Sequence, residues 1–284
     1  MKNSIWLWRF STVLLICLLV SCGMISKIDN PKTAMDFYNN GLYYDEIGDI
    51  GHAKECINRS IEIDSTNPIV YTDRGVMYMN DSNYVKALAD FNKAIRLTGS
   101  REFTLLYINR AGSFFAIGDT AHALADLNTA INFSFLNYLA YYYRGLYYLN
   151  KGNYTDALND FNCVINLTGS EYRAYAYTKR GNIYQHNQNY ACAMKDYNIA
   201  IQKYRKTTIA WIGLGSVYND VGKYKQSIRA YTRAIKLEPK TSEIYYKRAE
   251  VYAKNGDTIN AKQDYKTACE LGYKPACDSL AKKF

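Results

Sequence analysis

The sequence predicts an all-α fold, a solenoid of seven helical hairpins closed by one short capping helix. A small residue recurs at intervals of 34 or 36 residues along most of the chain, and bulky residues flank it at helical spacing. Only four of the 284 residues are proline, which favours long helices because proline interrupts helical hydrogen bonding. An apolar content of 48% is sufficient to bury a core.

Two columns of small residues define each copy. An aromatic residue stands four positions before and three positions after every member of the first column, which is Gly41, Gly75, Ala111, Gly145, Gly181, Gly215 and Ala249. A large residue stands four positions after every member of the second column, which is Ala53, Ala87, Ala123, Ala157, Ala193, Ser227 and Ala261. These spacings are helical and predict a helix A, a tight turn and a helix B in each copy. One hairpin cannot bury both of its faces, so consecutive copies must stack.

This pattern resembles the tetratricopeptide repeat (TPR). The resemblance implies a right-handed superhelical solenoid of seven TPR hairpins plus a C-terminal capping helix at 276–284. Two joints, at 98–100 and 168–170, carry two extra residues each and are expected to lengthen the helix A that follows. The repeats are placed at 34–67, 68–103, 104–137, 138–173, 174–207, 208–241 and 242–275.

The same resemblance implies that the A helices line a concave groove for a protein partner, which is an extended peptide or a helix. The candidate groove residues are those of helix A that face away from helix B. They mix aromatic, aliphatic and polar side chains, which suits such a partner: Tyr38, Leu42, Thr72, Val76, Ile108, Tyr142, Leu146, Tyr175, Asn182, Ser216, Tyr246 and Lys247.

A paired substitution pattern predicts ion pairs inside the hairpins. In five copies an arginine precedes the first small column and an aspartate follows sixteen residues later; the first copy has Asn40 and Cys56 instead, and the sixth has Leu214 and Ala230. A guanidinium fork matches a carboxylate, so we predict an ion pair; the alternative is a row of arginines that binds acidic ligands. We expect the two copies that lack the pair to open more readily. The predicted pairs are Arg74–Asp90, Arg110–Asp126, Arg144–Asp160, Arg180–Asp196 and Arg248–Asp264.

The first 22 residues have the features of an export signal. Lys2 and Arg9 precede an apolar run that is too short for a bilayer span, which needs about 20 apolar residues. The segment Leu19-Val20-Ser21-Cys22 resembles the bacterial lipoprotein signal. The resemblance implies a signal peptide at 1–21, acylation of Cys22 by palmitate-like chains and a tether at 22–33; an ordinary secretory signal is the alternative. Because Gly23 follows the cysteine, we expect an outer-membrane lipoprotein of a Gram-negative cell envelope that faces the periplasm.

Two cysteines near the C-terminus stand apart from the single cysteines of the B helices. The segment from Cys269 to Cys277 resembles the cysteine-stapled joints of Sel1-like secreted repeat proteins. The resemblance implies a disulfide between Cys269 and Cys277, which an oxidising periplasm would allow. Two free thiols are the alternative.

The sequence offers no constellation for catalysis. His52, His122 and His186 are not spaced to bind a metal from one helix, and we expect no metal, no cofactor and no enzyme activity. The net charge of +9 is spread along the chain, so we expect no nucleic-acid partner. We therefore predict a lipid-anchored scaffold for protein–protein interaction in the cell envelope. The alternative is a structural lipoprotein that contacts glycan or peptidoglycan, because tyrosines can stack on sugars.

Overall fold

The structure, a computed structural model, describes residues 26–99 and 104–283. It confirms the all-α prediction, because these residues form helices that pair as hairpins in a solenoid arrangement. The described residues fall into two compact units, one up to residue 140 and one from residue 141. The helices in the described residues are α1 (Ala34–Glu46), α2 (Ile50–Ile63), α3 (Pro68–Asn80), α4 (Tyr84–Thr98), α5 (Thr104–Ala116), α6 (Thr120–Phe133), α7 (Tyr138–Asn150), α8 (Tyr154–Leu167), α9 (Glu171–His186), α10 (Tyr190–Lys203), α11 (Thr208–Asp220), α12 (Tyr224–Leu237), α13 (Ser242–Lys254), α14 (Thr258–Glu270) and α15 (Lys274–Lys283).

In the first unit, α1 pairs with α2, α3 with α4 and α5 with α6, and α2 and α4 each pack against the helix A that follows. The large residue of each helix B has no exposed surface: Ile57, Phe91 and Leu127. A Cβ added to Gly75 would lie 2.6 Å from Cε1 of Phe91, well inside van der Waals contact. The first column is small because the helix A backbone rests directly on this bulky side chain.

The second unit repeats this packing from α8 to α15. Helix α9 pairs with α10, α11 with α12 and α13 with α14, and α15 packs against α14. Tyr197 of α10 has no exposed surface. A Cβ added to Gly213 would lie 2.5 Å from the Tyr197 ring, and one added to Gly181 would lie 2.9 Å from it. Glycines of two successive A helices therefore make room for one buried tyrosine.

The turn between helix A and helix B has the same construction in most hairpins. A residue in the left-handed region leads into a polar cap; Gly152 has φ 74° there, whereas Ser82 and Gln188 adopt φ 61° and 58° without being glycine. The cap side chain accepts a hydrogen bond from the backbone N–H three residues on, which satisfies a free donor of the first helical turn. These caps are Asp49, Asn83, Asp119, Asn153, Asn189 and Asp257.

The chain before α1 contacts the first hairpin where the structure describes it. The Ile28 backbone N–H donates to Oδ1 of Asn40 at 2.7 Å, and Nδ2 of Asn40 donates to the Ile28 carbonyl at 2.9 Å. The expected signal peptide at 1–21 and the lipid site at Cys22 lie outside the described residues. No helix within the described ranges has both the length and the apolar character needed to cross a membrane.

Candidate functional site

The structure brings each of the five arginines together with its aspartate inside one hairpin. Nε and Nη2 of the arginine donate to the two carboxylate oxygens over 2.6–3.0 Å. The aspartates are only 2–6% exposed. In four of the hairpins the remaining nitrogen Nη1 donates to the preceding helix B: from Arg74 to Asn58, from Arg110 to Asn92, from Arg180 to Asn162 and from Arg248 to Thr232. These guanidinium groups are therefore committed to the fold, so they are not a free row for acidic ligands.

Aromatic rings lie close to the same guanidinium groups. In four of the five hairpins the arginine lies 5.2–5.9 Å from the centroids of two rings, one four positions before and one three positions after the small residue. Arg180, for example, lies between Tyr177 and Tyr184. A cation over an aromatic face is attracted by the ring quadrupole. The aromatic columns thus form cages for the arginines as well as part of the helix interface.

Two hairpins replace this arrangement. In the first, Asn40 is 3% exposed and exchanges two hydrogen bonds with Ile28. In the sixth, formed by α11 and α12, Leu214 and Ala230 are 3% and 2% exposed and make an apolar contact region where the others hold charges.

The predicted groove residues of the first unit form a polar and apolar surface on the A helices. The Tyr38 hydroxyl donates to Oδ2 of Asp73 at 2.7 Å. Burial raises the pKa of Asp73 to about 6, with nearby Asp45 adding to the effect, while the Tyr38 hydrogen bond opposes it. Leu42, Thr72 and Val76 are half-buried. Of the side chains the sequence suggested here, these and Tyr38 remain accessible to a partner.

Two predicted groove residues are corrected by their burial. Ile108 has no exposed surface and Tyr142 is 2% exposed, so neither side chain can contact a partner. Helix α9, which packs beyond Tyr142, begins at Glu171 and is 16 residues long, whereas α7 and α11 have 13 residues each. Its first turn places Tyr172 edge-on to Tyr142, with ring centroids 5.2 Å apart. Ile108, Tyr142 and Thr178 occupy the same position of helix A and are at most 2% exposed, so this position belongs to the core in three hairpins.

Polar side chains run across consecutive A helices of the second unit. Nε2 of Gln185 donates to Oγ of Ser216 at 2.8 Å and to Oδ2 of Asp220 at 2.7 Å. The buried Tyr197 hydroxyl lies 2.8 Å from Oδ1 of Asn182 and 3.1 Å from Oε1 of Gln185. Nζ of Lys254 donates to Oδ1 of Asn219 at 3.1 Å. We call these residues the polar ladder: Asn182, Gln185, Ser216, Asn219, Asp220 and Lys254.

The other predicted groove residues of the second unit lie beside this ladder. Tyr175 is half-buried and stands edge-on to Tyr172 and Tyr204, and burial raises its pKa to about 12. Tyr246 contacts Tyr265 and Tyr273. Lys247 pairs with Glu243 at 3.2 Å, and Leu146 is half-buried. The surface thus offers hydroxyls, amides, flat rings and the cations of Lys247 and Lys254.

Part of the accessible surface was missed by the sequence analysis. Four apolar residues stand six positions before the first small column and are 37–53% exposed: Met35, Ile69, Leu105 and Ile209. Gln185, Asn219, Asp220 and Lys254 of the polar ladder were missed as well. For the four apolar residues, recurrence at the repeat period was the available signal, since Met35, Ile69, Leu105 and Ile209 share one position of helix A.

The C-terminal cysteines form a disulfide. Cys269 and Cys277 are bonded, with their Cα atoms 4.8 Å apart, and they join α14 to α15. Ala276 beside the bond has no exposed surface, so α15 covers the end of the last hairpin. Cys56, Cys163 and Cys192 are free thiols. Among the described residues, no group of three or more His, Cys, Asp or Glu side chains is arranged to hold a metal ion.

Stacked hairpins with an accessible face of A helices define a helical-repeat scaffold. Family models of the TPR repeat match residues 215–256, and models of the tetratricopeptide repeat match 37–67 and 242–271. These segments of the chain therefore carry TPR repeats, which are hairpins of a kind typically used for protein–protein interaction.

Curated relatives resemble parts of the chain. Human tetratricopeptide repeat protein 6 is 30% identical over 163 residues, which is 55% of this chain and 30% of that protein. A TPR repeat-containing protein of Methanocaldococcus jannaschii is 26% identical over 145 residues, or 50% of this chain and 25% of that protein. The matched region spans less than a third of either relative.

Solved structures show the same fold. A tetratricopeptide repeat protein from Parabacteroides merdae has a TM-score of 0.65 at 20% identity, covering 87% of this chain and 97% of that one. Pseudomonas aeruginosa pilF gives 0.67 at 14% identity, covering 78% and 99%. YrrB, described as a TPR protein with an unusual peptide-binding site, gives 0.53 at 19% identity, covering 68% and 98%.

Proposed function

We propose that the chain is a lipid-anchored scaffold of the bacterial cell envelope that binds a protein partner on its A helices. The polar ladder carries this proposal. Amide groups at Asn182, Gln185 and Asn219 can each donate and accept, as can the hydroxyl of Ser216. An extended peptide presents alternating N–H and C=O groups that need such partners, and the exposed Ile209 offers an apolar contact beside them. YrrB, with its peptide-binding site, is a precedent on the same fold.

The anchoring rests on the sequence from Leu19 to Cys22. Cleavage before Cys22 would leave the cysteine a few residues before Ile28, which contacts the first hairpin. Two or three acyl chains on one cysteine would hold the protein durably at a membrane, since each buried methylene contributes about 0.8 kcal/mol. The proposed site is the outer membrane of a Gram-negative cell, with the repeats in the periplasm.

Crosslinking in cells, followed by purification of the tagged full chain from membranes and mass spectrometry, tests both parts. We expect one stoichiometric protein partner with the wild-type chain and its loss with Asn182→Ala/Gln185→Ala. The matched control is Asn159→Ala/Asn166→Ala, two exposed amides on α8. Cys22→Ser should move the chain out of the membrane fraction and remove its acyl mass.

Three results would contradict the proposal. Recovery of glycan without a stoichiometric protein would favour the glycan- or peptidoglycan-contacting alternative. Equal recovery of the partner with Asn182→Ala/Gln185→Ala and with the control variant would show that the polar ladder does not bind the partner. Membrane retention of Cys22→Ser without a change in mass would refute lipid anchoring.

A further inference from the structure

A depression of about 540 Å³ opens on the sixth hairpin, away from the polar ladder. Leu214 and Ala230 lie within it, the two residues that replace the arginine and aspartate of the other hairpins. Trp211 and Tyr218 also line it, and they stand at the two aromatic positions that hold the guanidinium elsewhere. The depression is therefore a guanidinium cage whose guanidinium and carboxylate have both been replaced by apolar side chains.

The third element of the cage is also retained. Arg180 donates to Asn162 and Arg248 donates to Thr232 of the preceding helix B. The matching residue for the sixth hairpin is Asn198, sixteen residues before Leu214, and it lines the depression. Its Nδ2 donates to the Met194 carbonyl at 2.8 Å. The hydrogen-bond acceptor and the rings have stayed in place while the charged pair is gone.

The charges around the depression select its occupant. Helix α12 carries Lys225, Arg229, Arg233 and Lys236, all exposed, and has no acidic residue. Arg229, Arg233 and Lys236 line the depression. None of the four cations forms an ion pair within the described parts of the chain. An arginine from a partner would fit against the rings. It would be repelled by these cations, however, and no aspartate is present to pair with it, so an arginine is a poor occupant.

We propose that this depression is a second binding site, which takes an acidic peptide segment by an aromatic or large apolar anchor. The anchor packs against the half-buried rings of Trp211 and Tyr218. Leu214 and Ala230, which are 3% and 2% exposed, form the nearly buried apolar floor beneath these rings. Flanking carboxylates pair with Arg229 and Arg233. Bound charge at an exposed rim is screened by salt, so the apolar anchor supplies specificity and the cations supply attraction. The site shares no residue with the polar ladder and stands independently of the proposed groove function.

A fluorescent peptide of four glutamates around a central phenylalanine probes the site in the full chain, by fluorescence anisotropy. We expect saturable binding that weakens as salt rises. Leu214→Arg/Ala230→Asp restores the charged pair of the other hairpins, fills the depression and should weaken binding at least tenfold. Leu214→Met keeps the floor apolar and should bind as wild type does. Asn182→Ala/Gln185→Ala should also bind normally, which separates this site from the groove.

The rim is tested with exposed residues whose replacement leaves the core intact. Arg229→Gln/Arg233→Gln should weaken binding at least fivefold and flatten its salt dependence. Lys262→Gln/Lys266→Gln on α14 removes the same charge and should have little effect. Equal binding of a peptide with a central alanine would overturn the anchor. Tighter binding of a peptide with lysines in place of the glutamates would show that the depression takes a cation and overturn the proposal, as would unchanged binding by Leu214→Arg/Ala230→Asp.

Discussion

The arginine of each charged hairpin makes three kinds of contact at once. Arg180 meets the Asp196 carboxylate with two nitrogens, Asn162 of the preceding helix B with the third, and two aromatic faces. The hydrogen bonds that Arg180 donates to the Asp196 carboxylate raise the pKa of Arg180, so the pairing favours its charged form. Asp196 is 2% exposed, which makes the pair dependent on both of its members.

Replacement of one partner should cost far more than replacement of both. Arg180→Leu or Asp196→Ala leaves a buried charge unpaired, with an expected loss of about 3–5 kcal/mol. Arg180→Leu/Asp196→Ala reproduces the apolar pair of the sixth hairpin and should lose less than either single variant. Urea unfolding of the four proteins, followed by circular dichroism, measures this coupling. Additive losses would show that the pair is not energetically coupled.

The turns between helix A and helix B are the elements that set hairpin geometry. Most place glycine in the left-handed region, where a side chain with a Cβ is strained. Gln188 adopts φ 58° at this position, between α9 and α10, while Gly152 has φ 74° at the same position between α7 and α8. The two turns therefore share a conformation and differ in its cost.

Gln188→Gly should stabilise the protein. A left-handed backbone costs a non-glycine residue about 1–2 kcal/mol, and glycine relieves this strain. Glycine is also freer in the unfolded chain, which offsets roughly 0.5–1 kcal/mol of the stabilisation. We expect a small rise in the thermal midpoint. Gly152→Gln is the matched reverse change and should lower the midpoint. A fall with Gln188→Gly would mean that the Gln188 side chain makes contacts that outweigh the strain.

The sequence predicted those elements whose pattern repeats and failed where the pattern is interrupted. Helix pairing followed from the small and large columns, which recur in every hairpin. Tyr142 was assigned to the groove because its position in helix A faces away from helix B. Tyr172, which stands edge-on to it, lies in the first turn of α9, directly after the two extra residues of the joint at 168–170. The depression at Leu214 was also beyond prediction, since its shape depends on the distance between Trp211 and α12.

At the scale of the whole molecule, the hairpins are not equivalent. The first replaces the charged pair with the Asn40–Ile28 hydrogen bonds, whereas the sixth has the buried apolar residues Leu214 and Ala230 at these two positions. The last is joined by a disulfide to α15. Within the second unit, α11 and α12 thus have fewer polar links to the preceding helix B than α13 and α14 have.

Amide hydrogen exchange should reflect this difference. In the second unit we expect α11 and α12 to exchange faster than α9, α10, α13 and α14, because local opening there breaks no buried charged pair. Leu214→Arg/Ala230→Asp should slow exchange in α11 and α12 and leave α15 unchanged. Mass spectrometry of peptic fragments gives the comparison. Equal protection across these helices would show that the missing pair has no effect on local opening.

The hydrogen bonds from Arg74 to Asn58 and from Arg110 to Asn92 affect how the number of hairpins can change during evolution. Every such arginine carries its own aspartate and needs only an amide or hydroxyl from whichever helix B precedes it. Loss of one whole period by recombination, for example of residues 74–109, would present Asn58 to Arg110 in place of Asn92. Whole hairpins can therefore be gained or lost as interchangeable modules, without a compensating mutation at the new junction.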